Sequence, residues 1–316
     1  MIVDENSTRS NLERFLHYTT AVSHSELLPT SEMRALNPLW HPWERETVAY
    51  FKLSDLWNAY DEWSAYGVGV PISLQNGETL IQYYVPYLSA IQIYISPSSL
   101  RGLRDETDSG DGETRESLSD IFSDESDGDK AGRWDASSEE NGSEFDTLNH
   151  LNSRLGHLYF QHFERATPYA RVPLMDKVSS FVQSYPGLMT LRSVDLSPAS
   201  WMAVAWYPIY HIPVARTIKE LSTCFLTYHT LSSSFQDMEI NDDMETPAKK
   251  RREGDKIPLP PFGLATYKMQ GNLWAAGNNG SDRDRLASLL GVADSWLKQL
   301  RVQHHDFDFF TGIRRC

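Results

Sequence analysis

Trp201-Met202-Ala203-Val204-Ala205-Trp206-Tyr207 decides the fold. The run is apolar on both alternating faces, and such a strand needs cover above and below it. A strand in a sheet with one wet face would alternate instead. This stretch therefore reads as a central strand. Residues 223–230 and 264–269 are two further strands. Upstream, Asn76-Gly77 is a turn dipeptide, followed by strands at 80–84 and, after Pro86, at 90–95. In the latter, Ile91, Ile93 and Ile95 alternate with Gln92 and Tyr94, the pattern of a half-buried strand. Leu158, Phe160 and Phe163 lie in another strand-like run.

The cover comes from helices. Residues 10–16 form a short one that Ser10 or Asn11 can cap. Ser54 caps a longer one carrying Leu56, Trp57, Tyr60 and Trp63, which Gly67 and Gly69 stop and Pro71 seals. Residues 172–185 place Val172, Met175, Val178 and Val182 on one side. Residues 281–302 keep the three-and-four spacing through Leu286, Leu289, Leu290, Ala293, Trp296, Leu297 and Leu300, with Ser281 and Asp284 resembling a capping box. Strands and helices do not alternate regularly, and hairpin-like pairs recur. The expectation is an α+β fold, a mostly antiparallel sheet with helices packed against it.

Two polar inserts interrupt this body. Of 43 acidic and 29 basic residues in the chain, 16 and 4 fall between Arg104 and Asp146, leaving 27 against 25 elsewhere. Self-repulsion and a shortage of apolar groups prevent that segment from offsetting its ordering entropy. The domain reading is a single body over 1–103 and 147–316, with an acidic disordered insert at 104–146 and a polar, basic disordered loop at 232–261.

Composition excludes several classes. The body has no basic excess, which argues against nucleic acid as a partner. No run reaches the roughly 18 apolar residues of a membrane span, and the polar start, residues 1–14, is unlike a signal peptide. Cys224 and Cys316 are the two cysteines, too few for a disulfide framework or a paired-cysteine zinc site. A soluble intracellular protein is expected.

Thr246-Pro247-Ala248-Lys249-Lys250-Arg251-Arg252 is the sharpest short motif. Four consecutive cations behind a proline make an extended strip of the kind importin-type receptors read, and Lys249, Lys250, Arg251 and Arg252 are the candidate import signal. The plain alternative is a charge run balancing the flanking Asp242, Asp243 and Glu253. Ser117, Ser126, Ser137 and Ser143 each have an acid three residues on, which acid-directed kinases prefer, whereas an inert linker would explain the same composition. Trp40, His41, Trp43, Glu62, Trp63, Tyr84 and Tyr87 cluster near Pro- and Gly-rich loops and are the candidate lining of an aromatic pocket.

The chemical motifs are thin. Asp105, Thr107, Ser109, Gly110 and Glu116 follow a calcium-loop template, but Gly112 stands where an apolar residue belongs. His304, His305, Asp306 and Asp308 offer metal-ligand types, yet adjacent histidines diverge, and Phe307, Phe309 and Phe310 read as a packing tail. Cys224 and His229 fall on opposite strand faces by parity, which does not suit nucleophilic catalysis. No catalytic residue, metal or cofactor is expected.

Several stretches together resemble a plant family catalogued as domain of unknown function 789. They are Asn11-Leu12-Glu13-Arg14-Phe15-Leu16, Asp55-Leu56-Trp57, Glu62-Trp63-Ser64-Ala65-Tyr66-Gly67 and Gln82-Tyr83-Tyr84-Val85-Pro86-Tyr87-Leu88-Ser89-Ala90-Ile91-Gln92. Later come Trp201 through Tyr210 and Phe225-Leu226-Thr227-Tyr228-His229. The resemblance implies a plant protein and brings no established activity. The functional expectation therefore rests on the motifs. It is a non-enzymatic interaction or regulatory protein of nucleus and cytoplasm, phosphorylated in its acidic insert. The alternative is an enzyme or small-molecule binder built on the aromatic pocket.

Overall fold

A computed structural model describes residues 9–32, 46–96, 155–209, 221–235, 256–275 and 280–312. The chain runs α1 (Asn11–Tyr18), β1 (Ala21–His24), β2 (Glu26–Pro29), β3 (Thr47–Tyr50), α2 (Leu53–Tyr66), β4 (Val68–Ser73) and β5 (Thr79–Ile95). It continues with β6 (His157–Phe163), α3 (Leu174–Val182), α4 (Gly187–Thr190), β7 (Trp201–Pro208) and β8 (Cys224–Thr230). Last come β9 (Lys256–Leu259), β10 (Gly263–Tyr267), α5 (Gly271–Trp274), α6 (Ser281–Gln299) and α7 (His305–Thr311).

The main sheet is antiparallel, in the order β10-β8-β7-β5-β4, with β6 sharing β4's side of β5. β7 is central and buried on both faces, as its composition requires. Met202, Val204 and Trp206 join a core with Leu12 and Phe15 of α1, Leu56, Trp57 and Tyr60 of α2, and Leu174 and Val178 of α3. Trp201, Ala203 and Ala205 point the other way, into a core with Ala293 and Leu297 of α6 and Phe307 and Phe310 of α7. That second side is floored by small residues, so α6 lies close. A Cβ added at Gly263 would stand 2.9 Å from that of Ala293.

β5 is one strand of 17 residues, where the sequence suggested two strands divided at Pro86. The reason is which way the backbone of residue 86 faces. Ile209 N–H donates to the Tyr83 carbonyl, so residues 83 and 85 bond toward β7 and Pro86 faces the other edge. There the β4 ladder ends at Tyr84 and the β6 ladder begins at Ala90, so a proline's missing N–H deprives no partner.

The helix caps divide. Ser10 forms a full capping box with Glu13, Glu13 N–H donating to Ser10 Oγ at 3.1 Å and Ser10 N–H to Glu13 Oε2 at 3.1 Å. Ser54 and Ser281 are not caps. α2 starts from Lys52 with no side-chain cap, and α6 starts from Gly280, whose φ of 74° turns the chain without a side-chain bond. β1 with β9 and β2 with β3 form two short ribbons that the sequence reading did not anticipate. Lys256–Leu259 lies within the loop expected over 232–261, so that loop gives way to β9 at Lys256. No described helix is long and apolar enough to cross a membrane.

Candidate functional site

The densest polar cluster sits on the sheet face covered by α6 and α7. It originates in a backbone irregularity. The β5–β7 register shifts between Leu88 and Ala90, a bulge that gives Ser89 an extra place in the strand. Ser89 Oγ lies 2.9 Å from His304 Nε2 and also donates to Asp306 Oδ2. His304 Nδ1 lies 2.8 Å from the Tyr228 hydroxyl. Arg171 closes the cluster, its two terminal nitrogens each 2.7 Å from an Asp306 oxygen. Ser89, Tyr228 and His304 have no exposed surface and Asp306 only 1%.

The proton positions follow from the partners. Burial works to raise the Asp306 carboxyl, but Arg171, Ser89 and His304 together hold it below its ordinary value. An ionised Asp306 can only accept, so the Ser89 hydroxyl points to it. Ser89 oxygen then accepts from His304 Nε2–H, and His304 Nδ1 accepts from the Tyr228 hydroxyl. Burial pushes His304 down to about 4, against the pull of Asp306, which keeps the ring neutral. The chain of bonds runs one way, Tyr228 to His304 to Ser89 to Asp306.

Ser, His and Asp are thus together in the wrong order for hydrolysis. A nucleophilic serine must give its proton to an imidazole that a carboxylate orients through the other nitrogen. Here the serine gives its proton to the carboxylate, and a tyrosine occupies the other nitrogen. The arrangement fastens α7 and the segment around Arg171 to the bulge in β5. His305, next in sequence, has a side chain 65% exposed. Its Nδ1 lies 3.6 Å from Asp306 Oδ1, and among the described residues no three His, Cys, Asp or Glu groups could hold a metal ion.

A second buried thread crosses the opposite face. Trp206 Nε1 donates to Thr227 Oγ1 at 2.9 Å, and His229 Nε2 lies 2.8 Å from that same oxygen. The Leu259 carbonyl, 2.9 Å from His229 Nδ1, requires a proton there. Burial lowers His229 to about 4. Cys224 packs with Ala203 and Ala205 on the far side of the sheet, where burial pushes its thiol up to about 12, so it has no thiolate character.

The four aromatic-pocket candidates that are described do not meet at one place. Trp40, His41 and Trp43 lie outside the described residues. Tyr84 is fully buried, its ring 5.3 Å from Phe15 beneath α1. Tyr87, three residues on, faces the opposite side with its ring 5.5 Å from Tyr207. Trp63 is half-buried against Tyr60 and Trp206, and Glu62 is exposed.

Lys249 to Arg252 and Ser117, Ser126, Ser137 and Ser143 also lie outside the described residues, but the points where their segments leave the body are described. Ile95 pairs with His157, so the segment over 97–154 departs and returns at adjacent strand ends. Ile95 also bridges to Leu196. Ser232 Oγ donates to the Leu196 carbonyl at 3.0 Å, and Ser233 Oγ lies 2.6 Å from Ser193 Oγ, just before the segment over 236–255 departs. Both polar segments leave from one corner, with Leu196 between them. No signal in a single sequence places Leu196 there, because the bridge spans more than 100 residues.

Neither a curated protein nor a solved structure matches the chain. One family matches residues 10–310, nearly the whole chain and all the elements of the sheet. The chain therefore belongs to the family described as protein of unknown function (DUF789).

Proposed function

We propose that this is a non-enzymatic interaction or regulatory protein of nucleus and cytoplasm. An importin-type receptor reads Lys249, Lys250, Arg251 and Arg252, and acid-directed kinases act on Ser117, Ser126, Ser137 and Ser143. The observation that carries the reading is the shared corner. Ile95 and Ser232 both meet Leu196, so the acidic and the basic segments are tethered to one point. Tethering raises the effective concentration of one for the other to about the millimolar range. Each phosphate adds roughly −1.5 to −2 charges, enough to alter how available a four-cation strip is to an acidic receptor groove. The sealed Ser89 cluster, with its serine proton committed to Asp306, supports the non-enzymatic side.

A fluorescent fusion tests this. Replacing the four cations with alanine is expected to abolish nuclear enrichment, and changing the four serines to aspartate to lower it by about twofold or more, the added charges competing with the receptor for the strip. An unchanged nuclear fraction in the alanine variant would remove the import reading. Labelling of Ser89 by a fluorophosphonate probe in the folded protein would remove the non-enzymatic one.

A further inference from the structure

β6 and α3 are joined by a loop, residues 164–173, whose backbone is tied down from both ends. Glu164 is buried, and its Oε1 accepts from the N–H groups of Arg165 at 2.9 Å and Ala166 at 2.8 Å. Farther on, Arg171 Nε donates to the Ala166 carbonyl while its guanidinium grips Asp306. The tip between these ties adds little to the core. Thr167, Tyr169 and Ala170 are exposed, Tyr169 over its whole surface. Packing therefore does not account for what the tip carries.

It carries Thr167-Pro168. Four Ser-Pro or Thr-Pro pairs occur in the chain, at 96–97, 167–168, 197–198 and 246–247. Ser96 is fully buried, and Ser197 is 1% exposed with its oxygen accepting from Ala199 N–H. Thr246 lies outside the described residues. Thr167 is exposed, and its side chain caps no backbone N–H. Its φ of −63° and ψ of 154° are extended, as a following proline requires, and only at Pro168 does a single 3₁₀ turn begin. Among the described residues, Thr167 alone presents an exposed hydroxyl ahead of a proline. An acceptor hydroxyl must reach in line with a nucleotide's terminal phosphate, so exposure and an extended backbone are what a kinase needs of it.

We propose that Thr167 is a phosphorylation site for a proline-directed protein kinase that uses ATP. Thr167 Oγ1 attacks the γ-phosphorus of the nucleotide. The new O–P bond forms as the bond to the β,γ-bridging oxygen breaks, ADP leaves, and the hydroxyl proton passes to the kinase's catalytic carboxylate. The phosphate adds roughly −1.5 to −2 charges beside Arg165 and Tyr169. The site is separate from Ser117, Ser126, Ser137 and Ser143, none of which precedes a proline.

The test incubates the full chain with ATP and a proline-directed kinase of the mitogen-activated class, and locates phosphate by mass spectrometry of tryptic peptides. Thr167 is expected to be modified in most chains, with Ser96 and Ser197 left bare. Pro168→Ala should slow modification of Thr167 at least about tenfold, the proline being what such a kinase selects. An unmodified Thr167 in the folded chain overturns the proposal, and a synthetic peptide of residues 161–174 then tells whether the sequence or the loop's geometry is at fault. Equal modification of Thr167 and Ser197 also overturns it, because exposure would not be what selects the site. So does a Pro168→Ala protein modified as fast as wild type. Circular dichroism under the assay conditions establishes that both proteins are folded. Where Pro168→Ala does not fold, the same substitution in the peptide replaces it.

Discussion

Arg171 holds Asp306 with both arms of its guanidinium, at 2.7 Å each, across 135 residues of sequence, and the two side chains are each only 2% exposed. Arg171 Nε donates to the Ala166 carbonyl at 2.9 Å, so the fork is fixed from behind as well. Removing one member leaves the other charge buried and alone, which costs about 3–5 kcal/mol, whereas replacing both with apolar groups is often near neutral. Arg171→Met is therefore expected to lower stability by about that amount, and Arg171→Met with Asp306→Leu to recover more than half of it. Chemical denaturation of the three proteins checks this. A single variant within about 1 kcal/mol of wild type would mean that the pair is not the clamp described.

The two buried histidines set the acid limit of the fold. Burial lowers both His229 and His304 to about 4, against an unfolded value near 6.5. Between those values the unfolded chain binds protons that the folded chain refuses, so stability is complete above about pH 6.5 and falls as the pH drops toward 4. Each ring then contributes a loss of about 2–3 kcal/mol by pH 4.5. Thermal melts from pH 7.5 to 4.5 should show a steady decline, steeper than one site can give. His229→Gln should lower stability at neutral pH yet flatten the decline by about one proton. A melting temperature independent of pH across that window would contradict the neutral-ring assignment.

What the sequence revealed depended on the range of the interaction. β7 was legible because a continuous apolar run has few other homes, and α6 because its periodicity lasts four turns. The four-residue strands β1, β2, β3 and β9 are too short to show a period. Pro86 reads as a break in one sequence, because its tolerance depends on which neighbours happen to flank it. Ser54 and Ser281 were plausible caps by residue type alone. The Ser89 cluster was illegible for a stronger reason: Ser89 and His304 are 215 residues apart, and a bulge, invisible in one strand's sequence, is what aims the serine. His304 and Asp306 did signal something, as polar residues beside a phenylalanine-rich tail. Their partners were not knowable.

Asn11 completes the open edge of the sheet. Its side-chain amide mimics a strand at Ser73, accepting from Ser73 N–H at 2.9 Å and donating to the Ser73 carbonyl at 2.9 Å. The same Nδ2 donates to the Leu273 carbonyl at 2.9 Å, tying β4 to α5. Together with Pro71 this leaves little of β4's outer ladder to recruit another strand. Asn11→Leu is expected to cost about 2–3 kcal/mol by stranding buried backbone groups, and to increase aggregation on warming. Asn11→Asp keeps the acceptor and loses the donor, so it should fall between. Light scattering during thermal ramps would show it, and an Asn11→Leu protein that melts and scatters like wild type would deny the edge this role.

The pairing of Ile95 with His157 makes the acidic segment removable. Deleting residues 104–146 leaves 15 of the 58 residues between Ser96 and Leu155, ample to join two adjacent strand ends. Closing a loop costs only about 0.6 kcal/mol per doubling of its length, so removing two doublings should raise stability by about 1 kcal/mol at most. The deleted protein is expected to fold, to keep its melting temperature within about 3 °C or to gain slightly, and to lose any effect of acid-directed kinases on nuclear fraction. On the function proposed above, phosphorylating the four serines of the full chain should likewise leave the melt unchanged while altering transport. A fall of several degrees in the deletion, or aggregation during its purification, would mean that the segment packs on the body and contributes to its stability.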